Sequence, residues 1–170
     1  MRNLMDKYLT ETKQHCEVVG KVMRYFAKKL GQDEHVRYTV GLLHDADRDH
    51  IAKDAASHMG EAFEQIMKEG NFPDAIVKDI QSHYSSKTGV PVDSLIRKYL
   101  ISVDELSGFI TAVSLMRPNG LADMEAKSVT KRIKDKAFAR AVNRDDLLNC
   151  EKYLNIPVAD FVTEMIEAMK

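Results

Sequence analysis

The stretch from Val40 to His50 holds the residue types best suited to metal chemistry. Its first half is apolar and predicts the end of a buried helix, whereas its second half contains three carboxylates and two imidazoles. A buried charge is costly unless it is paired or bound to a metal ion. We therefore interpret His44 and Asp45, which end the apolar run, as metal ligands at the floor of a helical pocket.

Three further polar residues, Asp47, Asp49 and His50, follow this pair. They could form a solvated loop, or they could line the rim of the pocket. A carboxylate at the rim would be placed to hold or deprotonate a water molecule. Both interpretations stay open, and Asp47 is the stronger candidate for the rim.

Two more histidines lie at the ends of apolar stripes, as His44 does. His15 begins a stripe along one face of a predicted helix, and His83 closes another. Each of them alone is more typical of a core histidine that is hydrogen-bonded to a backbone carbonyl. The occurrence of this pattern three times favours a shared role.

Asp104 lies inside a predicted long helix, beside Val103 and one turn after Leu100. Aspartate is a poor residue for a helix interior because its side chain competes for backbone groups. A buried aspartate at such a position is expected to have a partner, and a bound cation is the strongest candidate.

The elements that must position these residues are helices. Apolar residues recur at helical spacing almost throughout, so we predict an all-α fold. With 170 residues and no linker or repeat, the chain is expected to form one domain over 1–170. The metal-site core covers about 11–117, and helices over about 121–170 complete this core or cover one side of it. The longest predicted helices cover about 11–30, 54–69 and 93–116.

Composition argues against several functional classes. The formal charge is -1, so no overall field favours nucleic acid or an anionic membrane. Cys16 and Cys150 lack CxxC spacing, which argues for a reducing compartment and against a thiolate zinc site. We see no signal peptide and no membrane-spanning run. We expect a cytoplasmic protein without a membrane or nucleic-acid partner, and a homo-oligomer stays open.

A later helix carries Lys127, Lys131 and Lys134 along one face. Runs of charge usually form a solvated surface. The alternative is that lysines such as Lys131 and Lys134 fold back over the pocket and bind a phosphate group.

The order of four residues resembles the ligand order of the HD-domain phosphohydrolase superfamily. These residues are His15, His44, Asp45 and Asp104. The tract over 99–110 looks like the helix that carries the last ligand in that family. The tract over 127–144 is similar to a subgroup of small stand-alone HD proteins known only as hydrolases. The resemblance therefore extends over most of the chain.

The resemblance implies that these four residues bind a metal ion and that the protein hydrolyses phosphoesters. A set of nitrogen and oxygen ligands suits Mn, Fe, Co, Ni or Zn better than Mg. An ion of this kind activates a water molecule and polarises a phosphoryl oxygen. In the expected mechanism this water attacks phosphorus, Asp45 orients the water, and Asp47 is the candidate proton carrier.

His58 and His83 fall where some HD proteins hold a second metal ion. Tyr84 stands where one version of that pattern has another histidine next to His83. This departure favours one metal ion over two. His58 and His83 would then contact the substrate phosphate or support the metal ligands.

The leading hypothesis is a metal-dependent phosphomonoesterase or phosphodiesterase for a small phosphorylated molecule, with nucleotides among the candidates. The alternative is a non-catalytic module that binds a nucleotide or regulates another protein, because no general acid is obvious in the sequence. A third hypothesis is a helical protein whose histidines are ordinary core residues.

Overall fold

The computed structural model describes residues 2–51 and 55–170. Within these ranges the chain forms helices joined by turns and contains no strand, which confirms the predicted all-α fold. The helices are α1 (Arg2–Tyr8), α2 (Lys13–Lys29), α3 (Glu34–Leu43), α4 (Glu61–Glu69), α5 (Asp74–Gln81), α6 (Ser85–Thr88), α7 (Leu95–Leu115), α8 (Ala126–Lys134), α9 (Asn149–Leu154) and α10 (Val158–Met169). None of these combines the length and the apolar character that a bilayer span requires.

Short 3-10 turns occur between several of these helices. They cover Arg48–His50, Ala55–Ser57, Ser82–Tyr84 and Asp146–Leu148. Two predicted site residues lie at these turns. His83 lies within Ser82–Tyr84, and His58 directly follows Ala55–Ser57.

Helices α2 and α3 pack with their backbones in close contact. Gly41 on α3 permits this approach, because a Cβ atom there would lie 2.9 Å from the carbonyl oxygen of Val19 and 3.0 Å from the Cα of Gly20. Gly41 precedes His44 by one helical turn, and Val19 follows His15 by one turn on α2. The close contact therefore brings the two histidines to the same end of the helix pair.

Asp33 begins α3 as its N-cap, as the sequence predicts. Its carboxylate accepts hydrogen bonds from the backbone N–H groups of His35 and Val36, at 2.8 and 2.9 Å. These bonds satisfy two of the N–H groups that a helix start leaves without partners.

Helix α7 lies against both the N-terminal and the C-terminal helices, including α2, α3, α9 and α10. Phe161 of α10 stacks on Phe26 of α2, with ring centroids 5.1 Å apart and planes 2° apart. Tyr99 of α7 packs against both rings. The last helix therefore shares a core with the helices that carry His15 and Asp104.

The predicted helix over 54–69 is wrong in its first half. Residues 52–54 lie outside the described ranges, and the helix that follows, α4, begins only at Glu61. Met59 adopts a left-handed backbone conformation with φ of 60°, which ends the preceding turn. His58 is therefore presented from a turn, and apolar periodicity carried no signal for it.

We expect Phe161→Ala to destabilise the protein by about 3–5 kcal/mol, because it removes a buried ring from the core shared by α2, α7 and α10. The free energy of unfolding in urea measures this change. Leu115→Ala is the control, since Leu115 is 82% exposed and its truncation is expected to cost less than about 0.5 kcal/mol. Equal effects of the two substitutions would show that α10 does not belong to the common core.

Candidate metal centre

Three side chains from separate elements converge on one point. His15 extends from α2, His44 follows the last residue of α3, and Asp104 lies in α7. The Nε2 atoms of His15 and His44 are 3.2 Å apart, and they lie 3.0 and 3.1 Å from Oδ1 of Asp104. We call these three residues the first group. The sequence-based expectation that Asp104 has a partner is met by two imidazoles.

The spacing within the first group fits a shared ion. Two ligand atoms at right angles, each about 2.1 Å from a metal ion, are about 3.0 Å apart. The three separations in the first group are all close to this value. The side chain of His44 is fully buried, whereas those of His15 and Asp104 are 30% and 18% exposed, so one side stays accessible.

The ring of His44 is fixed so that Nε2 faces the group. Its Nδ1 lies 2.7 Å from the carbonyl oxygen of Gly41, and a carbonyl only accepts, so Nδ1 carries a proton and donates it. Burial lowers the pKa of His44, but the carboxylates of Asp104 and Asp45 outweigh this effect and raise the pKa to about 9. The same negative charges that hold a proton on His44 would attract a divalent cation.

A second group lies beside the first and consists of Asp45, His58 and His83. The Nε2 atoms of His58 and His83 are 3.0 Å apart, and they lie 3.3 and 3.6 Å from Oδ1 of Asp45. Nδ1 of His83 donates to the carbonyl of Ile80, and Nδ1 of His58 donates to the carboxylate of Asp47. Both Nε2 atoms therefore present lone pairs to each other when the rings are neutral, an arrangement that a cation or a proton must relieve.

Asp45 lies between the two groups. Its Oδ1 faces His58 and His83, and its Oδ2 is 3.7 Å from Nε2 of His44 in the first group. Burial opposes ionisation, but the neighbouring His44 and His83 hold the pKa of Asp45 well below its usual range. The ionised carboxylate thus presents one oxygen to each group, and it would be shared by both if each held an ion.

Asp47, the predicted proton carrier, does not lie at the surface of either cavity. It is fully buried, and its two oxygens accept hydrogen bonds from Nδ1 of His58 at 2.8 Å and from the backbone N–H of Met59 at 2.7 Å. The geometry favours an orienting role, because a carboxylate with both oxygens engaged and no exposure is poorly placed to exchange protons with a substrate.

Asp49 and His50 hold the N-terminal segment. Asp49 accepts hydrogen bonds from the backbone N–H groups of Thr10 and Thr12, and His50 Nε2 lies 2.9 Å from the carbonyl oxygen of Tyr8. Neither residue takes part in the two groups.

Two cavities open onto the candidate centre. The larger, of about 400 Å³, reaches His58, His83 and Asp104, and the smaller, of about 180 Å³, reaches His15, Asp45 and Asp104. Arg48 lines both cavities, and its Nε donates to Oδ1 of Asp45 at 3.2 Å. Its side chain is 39% exposed, so the guanidinium is accessible from the cavities.

The predicted phosphate-binding lysines lie elsewhere. Lys131 and Lys134 are both exposed, and neither lines the two cavities at the candidate centre. Lys131 instead borders a cavity near Val113 and Met116. The basic face of α8 thus has the position of a solvated surface, and Arg48 is the cationic side chain beside the two groups.

The sequence interpretation passed over Arg48 and the outer wall of the larger cavity. Arg48 could have been noticed as the one cation between His44 and His50. The wall includes Glu105, Asp146, Asn149 and Tyr153, which come from α7 and from the segment that ends in α9. No spacing rule connects these positions, because they meet only through the packing of α9 on α7.

Comparison with known proteins gives no relative: no protein-family model, no curated protein and no solved structure matches this chain. The chemistry of the centre therefore has to be inferred from its donor set and geometry. Two groups of His and Asp side chains in the described residues have the arrangement to hold a metal ion.

We expect the metal-loaded protein, freed of tags, to retain two divalent ions per chain after desalting. His44→Ala and His83→Ala should each lose one of them, because each removes a ligand from one group only. A lost ligand should weaken that site by at least about 100-fold. Mass spectrometry of the metal content with Mn²⁺ and Zn²⁺ measures the outcome.

His35→Ala is the matched control, since His35 is exposed and belongs to neither group. It should keep the content of the unsubstituted protein. Metal content that His44→Ala leaves unchanged would remove the first group as a binding site.

We expect Asp47→Asn to weaken the second site about 10–100-fold and to leave the first site unchanged, because it disturbs the acceptor that orients His58. Competition with a fluorescent chelator measures both affinities. Asp49→Asn is the control, since Asp49 contacts Thr10 and Thr12 instead of a candidate ligand. Identical chelator curves for the two variants would contradict the orienting role.

Proposed function

We propose that this protein is a metal-dependent phosphohydrolase that acts on a small phosphorylated molecule. The observation that carries the proposal is the position of Asp45, with one oxygen toward each group and both groups open to a cavity. Divalent ions held by the two groups would stabilise the charge on a phosphoryl group and supply a water of lowered pKa. The resemblance of the ligand order to HD-domain phosphohydrolases supports the same reaction class.

The donor set favours Mn, Fe, Co, Ni or Zn over Mg. Four of the six side chains in the two groups are histidines, and Mg²⁺ prefers oxygen ligands with retained waters. The sequence alone favoured a single ion, because a histidine is absent after His83. In the structure Asp45 joins His58 and His83 as the third possible ligand of the second group. We therefore propose two ions.

Arg48 is proposed to hold the substrate phosphate. Its Nε is fixed on Asp45, which leaves the two terminal nitrogens of the guanidinium to bind phosphoryl oxygens. Hydrolysis then adds water across the ester bond: the water oxygen bonds to phosphorus, the phosphorus–oxygen ester bond breaks, and the leaving alcohol takes up a proton. Asp45 is proposed to orient the attacking water.

We expect the protein loaded with Mn²⁺ or Co²⁺ to release phosphate from p-nitrophenyl phosphate and from a panel of sugar phosphates and nucleotides. Asp45→Asn and Asp104→Asn should lower kcat/KM by at least about 100-fold, because each removes a charge that positions the ions. Arg48→Met should raise KM more than it lowers kcat.

Asp145→Asn is the control for this experiment, since Asp145 is exposed and lies outside both cavities. Its kcat/KM should equal that of the unsubstituted protein. No turnover of any ester by protein shown to hold two ions would refute the hydrolase. Stabilisation by a nucleotide without turnover would instead favour the non-catalytic binding module.

A further inference from the structure

The larger cavity extends from the candidate centre to a wall made by the C-terminal part of the chain. One end is formed by His58, His83 and Asp104, and the far wall includes Asp146, Asn149 and Tyr153. Its volume of about 400 Å³ is near the lower end of the range for small-molecule sites. If a phosphate lies at the ions, this space is left for the alcohol part of the substrate.

The wall beyond the ions is rich in hydrogen-bond acceptors. Glu105 and Asp146, which come from α7 and from the turn before α9, both line it. An ionised carboxylate only accepts hydrogen bonds. Two such groups therefore face the space where the alcohol would lie.

Asn149 adds a third acceptor to this wall. The residue is only 5% exposed, and its Nδ2 donates to the carbonyl of Ile101 at 3.2 Å. That bond directs the remaining atom, Oδ1, as a further acceptor, and no donor bonds to it within the described ranges. This oxygen remains open to the cavity, so a donor group placed there can bond to it.

We propose that the substrate of this centre is a phosphate monoester of a polyhydroxylated alcohol, such as a sugar or polyol, that carries no second anionic group. This inference rests on the proposed function. Hydroxyl groups donate to the acceptors Glu105, Asp146 and Asn149, and they cost little to desolvate against carboxylates.

A second phosphate or a carboxylate on the substrate would be rejected by this wall. It would be placed near two carboxylates, and like charges repel each other. Arg48 is the only arginine or lysine that lines the larger cavity in the described ranges, and it is held at Asp45 beside the candidate ion sites. The wall thus selects by charge as well as by hydrogen bonding.

The test measures binding to the two-ion protein by calorimetry, with phosphonate analogues that cannot be hydrolysed. The three probes are the analogues of glucose 6-phosphate, of glucose 1,6-bisphosphate and of ethyl phosphate. We expect the glucose 6-phosphate analogue to bind at least about tenfold more tightly than either of the others. In the double variant Glu105→Gln/Asp146→Asn, the ratio of the affinity for the glucose 6-phosphate analogue to that for the bisphosphate analogue should fall below about threefold.

Glu64→Gln/Asp145→Asn is the matched control, because it makes the same change in charge at exposed positions outside the cavity. It should keep the tenfold preference. Equal binding of the three probes, or no binding of any, would overturn the inference, and so would a preference that survives Glu105→Gln/Asp146→Asn.

Hydrolysis of p-nitrophenyl phosphate, measured on the same preparations, keeps this inference separate from the proposed function. Turnover without selectivity among the probes would contradict the sugar or polyol monophosphate and leave the hydrolase intact. Selective binding without turnover of any ester would support the binding preference and contradict the hydrolase.

Discussion

The central physical constraint in this structure is repulsion between nitrogen and oxygen atoms that are held close together at one poorly solvated point. Ring nitrogens of four histidines and carboxylate oxygens of two aspartates face one another at separations of 3.0–3.7 Å. Lone pairs and negative charges so close together in a poorly solvated space repel strongly unless positive charge lies among them. A proton on His44 relieves part of the repulsion, and divalent cations would relieve it more completely. The fold supplies the rigidity that keeps these atoms together.

The two groups obtain that rigidity in different ways. The first group depends on helix packing, since Gly41 lets α2 and α3 approach closely and α7 brings Asp104 against them. In the second group His58 and His83 lie at turns, and hydrogen bonds hold these turns in place. Asp47 orients His58, while Lys87 of α6 donates to the backbone carbonyls of Ala56 and His58. Tyr84 stacks on the ring of His58 and closes the same side.

Sequence periodicity could predict the residues that lie on regular helices. His15 and Asp104 are positions on helix faces, and His44 directly follows a helix whose end the apolar run marks, so their orientation follows from the 3.6-residue repeat. It could not predict His58, because the left-handed Met59 and the late start of α4 break the repeat there. It could not locate Arg48 or the wall with Asn149 either, since long polar side chains and contacts between distant helices leave no periodic signal. The same limit applies to Lys131 and Lys134, because a solvated basic face and a phosphate-binding face have the same spacing in the sequence.

Anomalous X-ray scattering from a crystal of the Mn²⁺-loaded protein, recorded at the manganese absorption edge, tests the central claim most directly. We expect two peaks per chain, one among His15, His44 and Asp104 and one among His58, His83 and Asp45. Absence of a peak between His15, His44 and Asp104 in protein known to contain manganese would contradict the metal centre described above.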